Sequence, residues 1–450
     1  MSAHWPVARG PLEAQRAAVP LARLGLGTLL NATAARHPER IALVDPSDKP
    51  AWSGRPAITW TYAAASEIVE RLARGLWAWR LPPGSRIGLC LPGSSESTLA
   101  FLAVEAVGHV ACPLPVAWDE DKLLAAAQGA GLAAVLTQAR LGSVALAERL
   151  CGVAARYFGL RYLAAFGPDV PDGVINLDAM ALARIEPAHA EPTSPAPASI
   201  GPAGLVSFVD GDTEKPVDRS ADALVAASAA HLVALRAGPG ERILSLIGQH
   251  DLRGLVTGLG AALVAGASLE TLPLFDGAGF AASLSKPVPT HLVAPAFLEK
   301  NLAGRELPAS LRSVSLCHRA PVRFPSRARP RVAEALRVET ILDVVALGET
   351  AILSGRRFTG SDVALALARP ESLALPATLM AMRREPDGKL AVRGRACAVA
   401  PLQRGVPNAC PIDAWQPVPF GATLSAGIAV GVTVHVAAPD DASRNFFAKA

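Results

Sequence analysis

PPGSRIGLCLPGSSE, residues 82–96, and FLAVEAVGHVACPLP, residues 101–115, decide the fold. Pro82-Pro83-Gly84 stops any helix before it, because proline lacks the amide that a helix needs. The apolar run 86–91 is a buried-strand candidate, 92–96 supplies a turn and a helix start, and the helix continues through 99–109. Residues 111–115 then read as a second strand.

Upstream, Ile68, Leu72, Leu76 and Trp79 recur at helical spacing over 63–79. Before that helix, 36–45 and 57–62 read as a short strand pair, with Ile58, Trp60 and Tyr62 alternating. Downstream, a helix over 120–130 leads to a strand over 133–137. This alternation of strand and helix predicts a doubly wound parallel sheet. IEPAHAEPTSPAPASIGP, residues 185–202, reads as a linker. The pattern restarts after it, with strands at 204–208, 242–247 and 268–271 and helices at 221–236 and 254–265. The expected class is α/β, with two doubly wound lobes (1–190 and 203–370), a linker (191–202) and a smaller β-rich subdomain (371–450).

Composition agrees. A hydrophobic share of 51% with 18% charged residues fills a large interior, and only 5% aromatics suits buried parallel strands and long helices. Net charge is +4, with no block of like charges to meet nucleic acid or membrane. The densest cationic stretch, 319–331, is broken by prolines and reads as a solvated loop. Six cysteines stand singly, without a zinc or disulfide spacing, which fits a reducing cytoplasm. Arg9, Glu13, Arg16 and Arg23 interrupt any signal-peptide core. GLVTGLGAALVAGASL, residues 254–269, falls short of the roughly 20 residues that span a bilayer and reads as a buried helix.

From Thr59 to Pro115 the text resembles the opening of the AMP-binding superfamily (the ANL fold of acyl-CoA synthetases and adenylation domains). Thr61-Tyr62, the helix through Leu72 and Leu76, and the two quoted stretches match its T-Y, G-D-R-V, L-P-N-S-x-E and A-G-x-x-x-x-P-L elements. Further along, ERILSLIGQH (241–250) resembles the strand ending in P-L-F-H, and THLVAPAFLEKNL (290–302) resembles T-x-x-x-x-V-P. LPASLRSVSLCHRAP (307–321) stands in the place of S-L-R-x-x-x-S-G-G-A-P, ETILDVVALGETA (339–351) in that of Y-G-x-T-E, and DGKLAVRGRA (387–396) in that of G-E-L-x-V-x-G.

The resemblance implies an ATP-dependent carboxylate ligase fold, yet the groups that chemistry needs are changed. The family's phosphate loop, T-S-G-T-T-G-x-P-K-G, uses small residues, amide donors and a lysine to hold a polyanion. Here VDGDTEKPVDRS (209–220) keeps Gly211, Thr213 and Pro216 but adds Asp210, Asp212, Glu214 and Asp218, with Val217 in the lysine slot. Lys215 and Arg219 flank the loop and offset little of this charge. Each carboxylate a few ångströms from phosphate repels it by about 4 kcal/mol at an effective dielectric near 20. In the Y-G-x-T-E place, Gly348 and Thr350 remain, while Leu347 replaces the tyrosine and Ala351 the magnesium-binding acid. Glu349 sits two positions too early to substitute. The adenine-side glycines become Cys317 and His318, which point to opposite faces of a strand and read as packing. His250 matches the P-L-F-H histidine, which implies a place near an acyl pocket. WQPVPFG (415–421) stands where the family's ribose-binding acid lies, and the family's lid domain and its lysine find no counterpart before Ala450.

The expectation is therefore an acyl-CoA synthetase-like pseudoenzyme with no catalytic residues, no metal site and no cofactor. It would act as a cytoplasmic binding or scaffold subunit for another protein, such as an active synthetase or an acyl carrier protein, without nucleic acid or a membrane span. Two alternatives are an active ATP- and magnesium-dependent acid–thiol ligase whose site is rearranged or whose lid comes from another chain, and an acyl-ligand sensor.

Overall fold

The computed structural model describes residues 24–182, 204–324, 338–372, 379–397, 399–402 and 412–435. The expected linker, Asp210's side chain and the 325–331 part of the cationic stretch lie outside that description. Thr61 caps the helix Tyr62–Ala78 by accepting from the Ala64 amide, and the Pro-Pro-Gly stop follows that helix. Strands Arg86–Cys90 and Val110–Pro113 pair in parallel, with helix Ser95–Ala106 between them. That helix is buried on nearly every side, which explains why its text is apolar without a stripe.

Three sheets result. The first runs in the order Val399–Pro401, Pro216–Ser220, Gly204–Phe208, Val110–Pro113, Arg86–Cys90, Leu132–Gln138, Tyr162–Phe166, Ile175–Asn176. It is parallel from Gly204–Phe208 onward and antiparallel at the hairpin edge. The second runs Ala351–Arg356, Thr340–Leu347, Leu311–Arg319, Thr290–Pro295, Arg242–Ser245, Ser268–Thr271, Ile41–Val44, Thr59–Thr61, parallel except at its two ends. The third is antiparallel throughout: Val322–Arg323, Ile428–Val434, Gln416–Ser425, Lys389–Arg393, Ala381–Arg384, Glu371–Ser372. The α/β class with two parallel-rich sheets and a smaller β-rich unit is thus the observed one.

Sheet membership does not follow the expected boundaries at 190, 203 and 370. Ile41–Val44 joins the second sheet by pairing Leu43 with Leu269, while the hairpin 204–220 and the strand Val399–Pro401 complete the first. The physical reason is that a parallel strand needs a neighbour with the same direction and apolar faces, and proximity in sequence supplies neither.

The glycine-rich helix is a composite. Leu252–Gly254 and Ala261–Ala265 are α-helical, and Leu255–Gly260 between them is a π-turn, all of it buried. Gly260 lets it press against the helix Ala221–Leu235, since a Cβ there would stand 2.0 Å from Ser228 Oγ. Beneath the first lobe a charge cluster is walled in. Lys49 Nζ lies 2.6 Å from Asp45 and 2.5 Å from Glu96, Arg55 Nε is 2.7 Å from Glu96, and Arg55 also pairs with Asp178. Burial raises the Asp45 carboxyl, with Glu96 adding to the effect. Burial acts the same way on Glu96, but Lys49 and Arg55 outweigh it and hold that carboxyl at about 2.

Candidate functional site

The stretch in the place of the phosphate loop is a β-hairpin. Gly204–Phe208 and Pro216–Ser220 pair antiparallel, and a single 3₁₀ turn, Val209–Gly211, leads the connection. Asp212 and Asp218, two of the four expected carboxylates, do not converge there. Asp212 is paired with Lys215 at 2.7 Å and accepts from the Glu214 amide, which lowers its carboxyl, and Lys122 from a neighbouring helix adds a smaller pull. Asp218 lies on the second strand, paired with Val206, and burial raises its carboxyl. The expectation of an uncompensated acidic nest is corrected on this point, because alternation along the strand separates Asp218 from the turn.

Arg219, expected beside the lysine slot and to offset little of the acidic charge, is 1% exposed, its guanidinium donating to the carbonyls of Glu349 (2.6 Å), Thr350 (3.2 Å) and Ala396 (2.9 Å). The hairpin is thereby tied to the Leu347–Ala351 turn and to the third-sheet region. In that turn Gly348 has φ +57°, and Phe420 of the strand Gln416–Ser425 packs beside it.

Arg319, the last residue of the strand Leu311–Arg319, links two loops. Its guanidinium lies 2.9 Å from Glu349 Oε1 and 3.1 Å from Asp251 Oδ1. Arg253 closes the other end, 2.6 Å from Asp251 Oδ2. Burial works against the Arg319 charge, yet Asp251 and Glu349 more than offset it and raise its pKa. Burial likewise opposes ionisation of Asp251, but Arg253 and Arg319 bring it to about 2. Glu349 is 4% exposed, and its Oε2 has no hydrogen-bond partner. His250 is exposed next to this chain, its ring folded over Gly248.

The rest of the adenine-side stretch is packing. Burial lifts the Cys317 thiol to about 12, so no thiolate is available. His318 instead faces Asp343 at 3.3 Å, and Arg357 joins Asp343 (2.6 Å) to Glu299. The guanidiniums of Arg383 (4.5 Å) and Arg393 (4.6 Å) both lie over the Trp415 ring. Among the described residues, no group of three or more His, Cys, Asp or Glu side chains is arranged to hold a metal, and no helix is long and apolar enough to cross a membrane. Thr213 and Pro216 sit on the hairpin, and Thr350 in the turn after Gly348.

Known proteins share parts of this architecture. Residues 30–179 match the model of the AMP-binding enzyme family. The N-terminal domain of FACL13 from Mycobacterium tuberculosis superposes with a TM-score of 0.62 at 16% identity, covering 92% of this chain and all of that one. The fold is that of the FACL13 N-terminal domain. Two sequence relatives share shorter stretches. The medium-chain fatty-acid–CoA ligase of Escherichia coli (strain K12) is 33% identical over 92 residues, 20% of this chain, and a linear gramicidin synthase of Brevibacillus parabrevis is 33% identical over 110 residues, 24% of this chain. The matches span 15% and 1% of those relatives' own lengths.

Within this fold, sequence reasoning missed the reach of Arg319 and the inward turn of Arg219. A signal for the first exists: an arginine directly before Ala320-Pro321, at the end of a strand whose parallel neighbour leads into a glutamate-bearing turn, can cross between the two loops.

Proposed function

We propose that this acyl-CoA synthetase-like chain does not adenylate carboxylates and acts as a binding or scaffold subunit. The observation that supports this reading is the ionic chain Arg253–Asp251–Arg319–Glu349. It joins the loop at Asp251, which by resemblance follows the acyl-pocket histidine, to the turn at Glu349, which by resemblance lies at the nucleotide, and it ties Arg253, Asp251, Arg319 and one oxygen of Glu349 to one another. A triphosphate would have to break those contacts, and the hairpin turn offers it an Asp212–Lys215 pair in place of a cationic nest. Transition-state stabilisation needs charge aimed at the reacting phosphorus, and Arg219 is turned away into carbonyl contacts.

The test is pyrophosphate release from ATP and magnesium over a panel of aliphatic and aromatic carboxylates, beside calorimetry with ATP alone. No turnover above background and no micromolar ATP binding are expected. Turnover with any carboxylate would favour the active-ligase reading instead. Co-purification from native extract followed by protein identification addresses the partner, for which an active synthetase or an acyl carrier protein is the natural candidate.

A further inference from the structure

A cavity lies away from the Arg319 bridge. It measures about 910 Å³ and opens to solvent between the helix Gly277–Leu284 and the segment Ala296–Ala303. The two faces of the second sheet are divided. Ile243, Val293 and Cys317 pack with the core that holds the π-turn, whereas Leu244, Leu292, Val314 and Leu316 form a separate core with Leu284 and Leu302. The cavity sits over this second core, on the face opposite the π-turned helix. Its size falls in the range of small-molecule sites, and its wall joins an apolar floor to a few polar groups, as such sites do.

The floor is apolar: Phe280, Leu284, Leu298, Leu302 and Leu307. At the mouth Phe275, 60% exposed, stands 5.7 Å from Phe280, ring centre to ring centre. Arg305 and Glu306 also line the mouth, both exposed, and neither side chain forms an ion pair or hydrogen bond among the described residues. One unpaired cation and one unpaired anion favour a ligand that carries both signs. Two phenyl rings and a carboxylate lining one cavity suit a quaternary ammonium, whose charge is drawn to ring faces and which needs no hydrogen-bond acceptor.

We propose that this cavity binds a single-chain zwitterionic amphiphile, its alkyl chain along Leu284, Leu298, Leu302 and Leu307, its ammonium at Phe275, Phe280 and Glu306, and its anion on Arg305. The site goes beyond the scaffold reading and is independent of it, because neither nucleotide nor partner protein enters the measurement.

Calorimetry on the full chain, with ligand below its micellar concentration, tests it. The probes are N-decyl-N,N-dimethylglycine, decanoate and decyltrimethylammonium, which share a chain and differ in head charge. One-site saturable binding of the zwitterion is expected, with each singly charged probe weaker by about tenfold. Ala281→Trp fills the cavity from an exposed position on its wall and should abolish binding at an unchanged thermal midpoint. Arg305→Ala, on the exposed rim, should bring the zwitterion down to the level of decyltrimethylammonium; it carries the test if the tryptophan variant fails to fold. Equal binding of all three probes, unchanged zwitterion affinity in Arg305→Ala or in a folded Ala281→Trp, or no saturable binding would overturn the proposal.

Discussion

Two charge networks sit in this molecule and are built to different plans. Around Lys49 the ion pairs are sealed: Lys49 and Asp45 side chains are fully buried, and both Lys49 carboxylate partners are within 2.6 Å. Around Arg319 the network is a bridge, 26% exposed at the arginine, and it leaves one buried carboxylate oxygen of Glu349 without a partner. The first lies in the stretch that resembles L-P-N-S-x-E, the second in the stretches that stand in the places of S-G-G-A-P and Y-G-x-T-E. A sealed network fixes chain segments to one another, while a bridge between loops decides what can enter between them.

The comparison breaks first at Lys49. Lys49→Met leaves Asp45 and Glu96 buried without their cation and should cost about 3–5 kcal/mol in urea unfolding. A loss below 1 kcal/mol would mean that the cluster is hydrated and the contrast false. Arg319→Ala should cost less, about 2 kcal/mol, because Asp251 keeps Arg253 and the site is partly solvated. The same variant should raise exchange of the Gly348 and Glu349 amides, read by hydrogen–deuterium mass spectrometry.

Glu105 sharpens the comparison through pH. Burial raises its carboxyl to about 6, against the hydrogen bonds it accepts from the Leu26 and Gly27 amides. Because its folded pKa lies above the unfolded value, its contribution is complete below about 4.5 and is lost as pH rises through about 6. The stability difference between wild type and Glu105→Gln should therefore fall by about 1 kcal/mol from pH 4.5 to 7, after allowance for partial exposure, in paired urea titrations. The smallest effect belongs to Lys215→Ala. Its pair with Asp212 is exposed, so the unfolding free energy should change by no more than about 0.5 kcal/mol.

Local features were legible. The strand, turn and helix of residues 82–115 follow from a proline stop, a short apolar run and a serine-rich helix start, all of which act within a few residues. The partner of Ile41–Val44 was not legible, since its neighbour Ser268–Thr271 lies more than 200 residues away and many apolar strands could have served. Within the candidate site, the loss of the small and cationic pattern showed in the text. The directions of Asp218 and Arg219 did not, because a hairpin's register decides which of two adjacent side chains faces inward. Arg319 belongs to the same class: its reach depends on two loops being brought together by the second sheet.

The interleaving of the sheets bears on how the polypeptide is made. As the nascent chain leaves the ribosome, the strand at 41–44 must wait for 268–271, and the sheet begun at 86–90 lacks its outer edge until 399–401 has emerged. Synthesis at about 5–20 residues per second leaves those edges uncovered for many seconds. Biogenesis should consequently be slow and chaperone-dependent, and cutting the gene at the proline-rich stretch should yield two insoluble fragments rather than two halves.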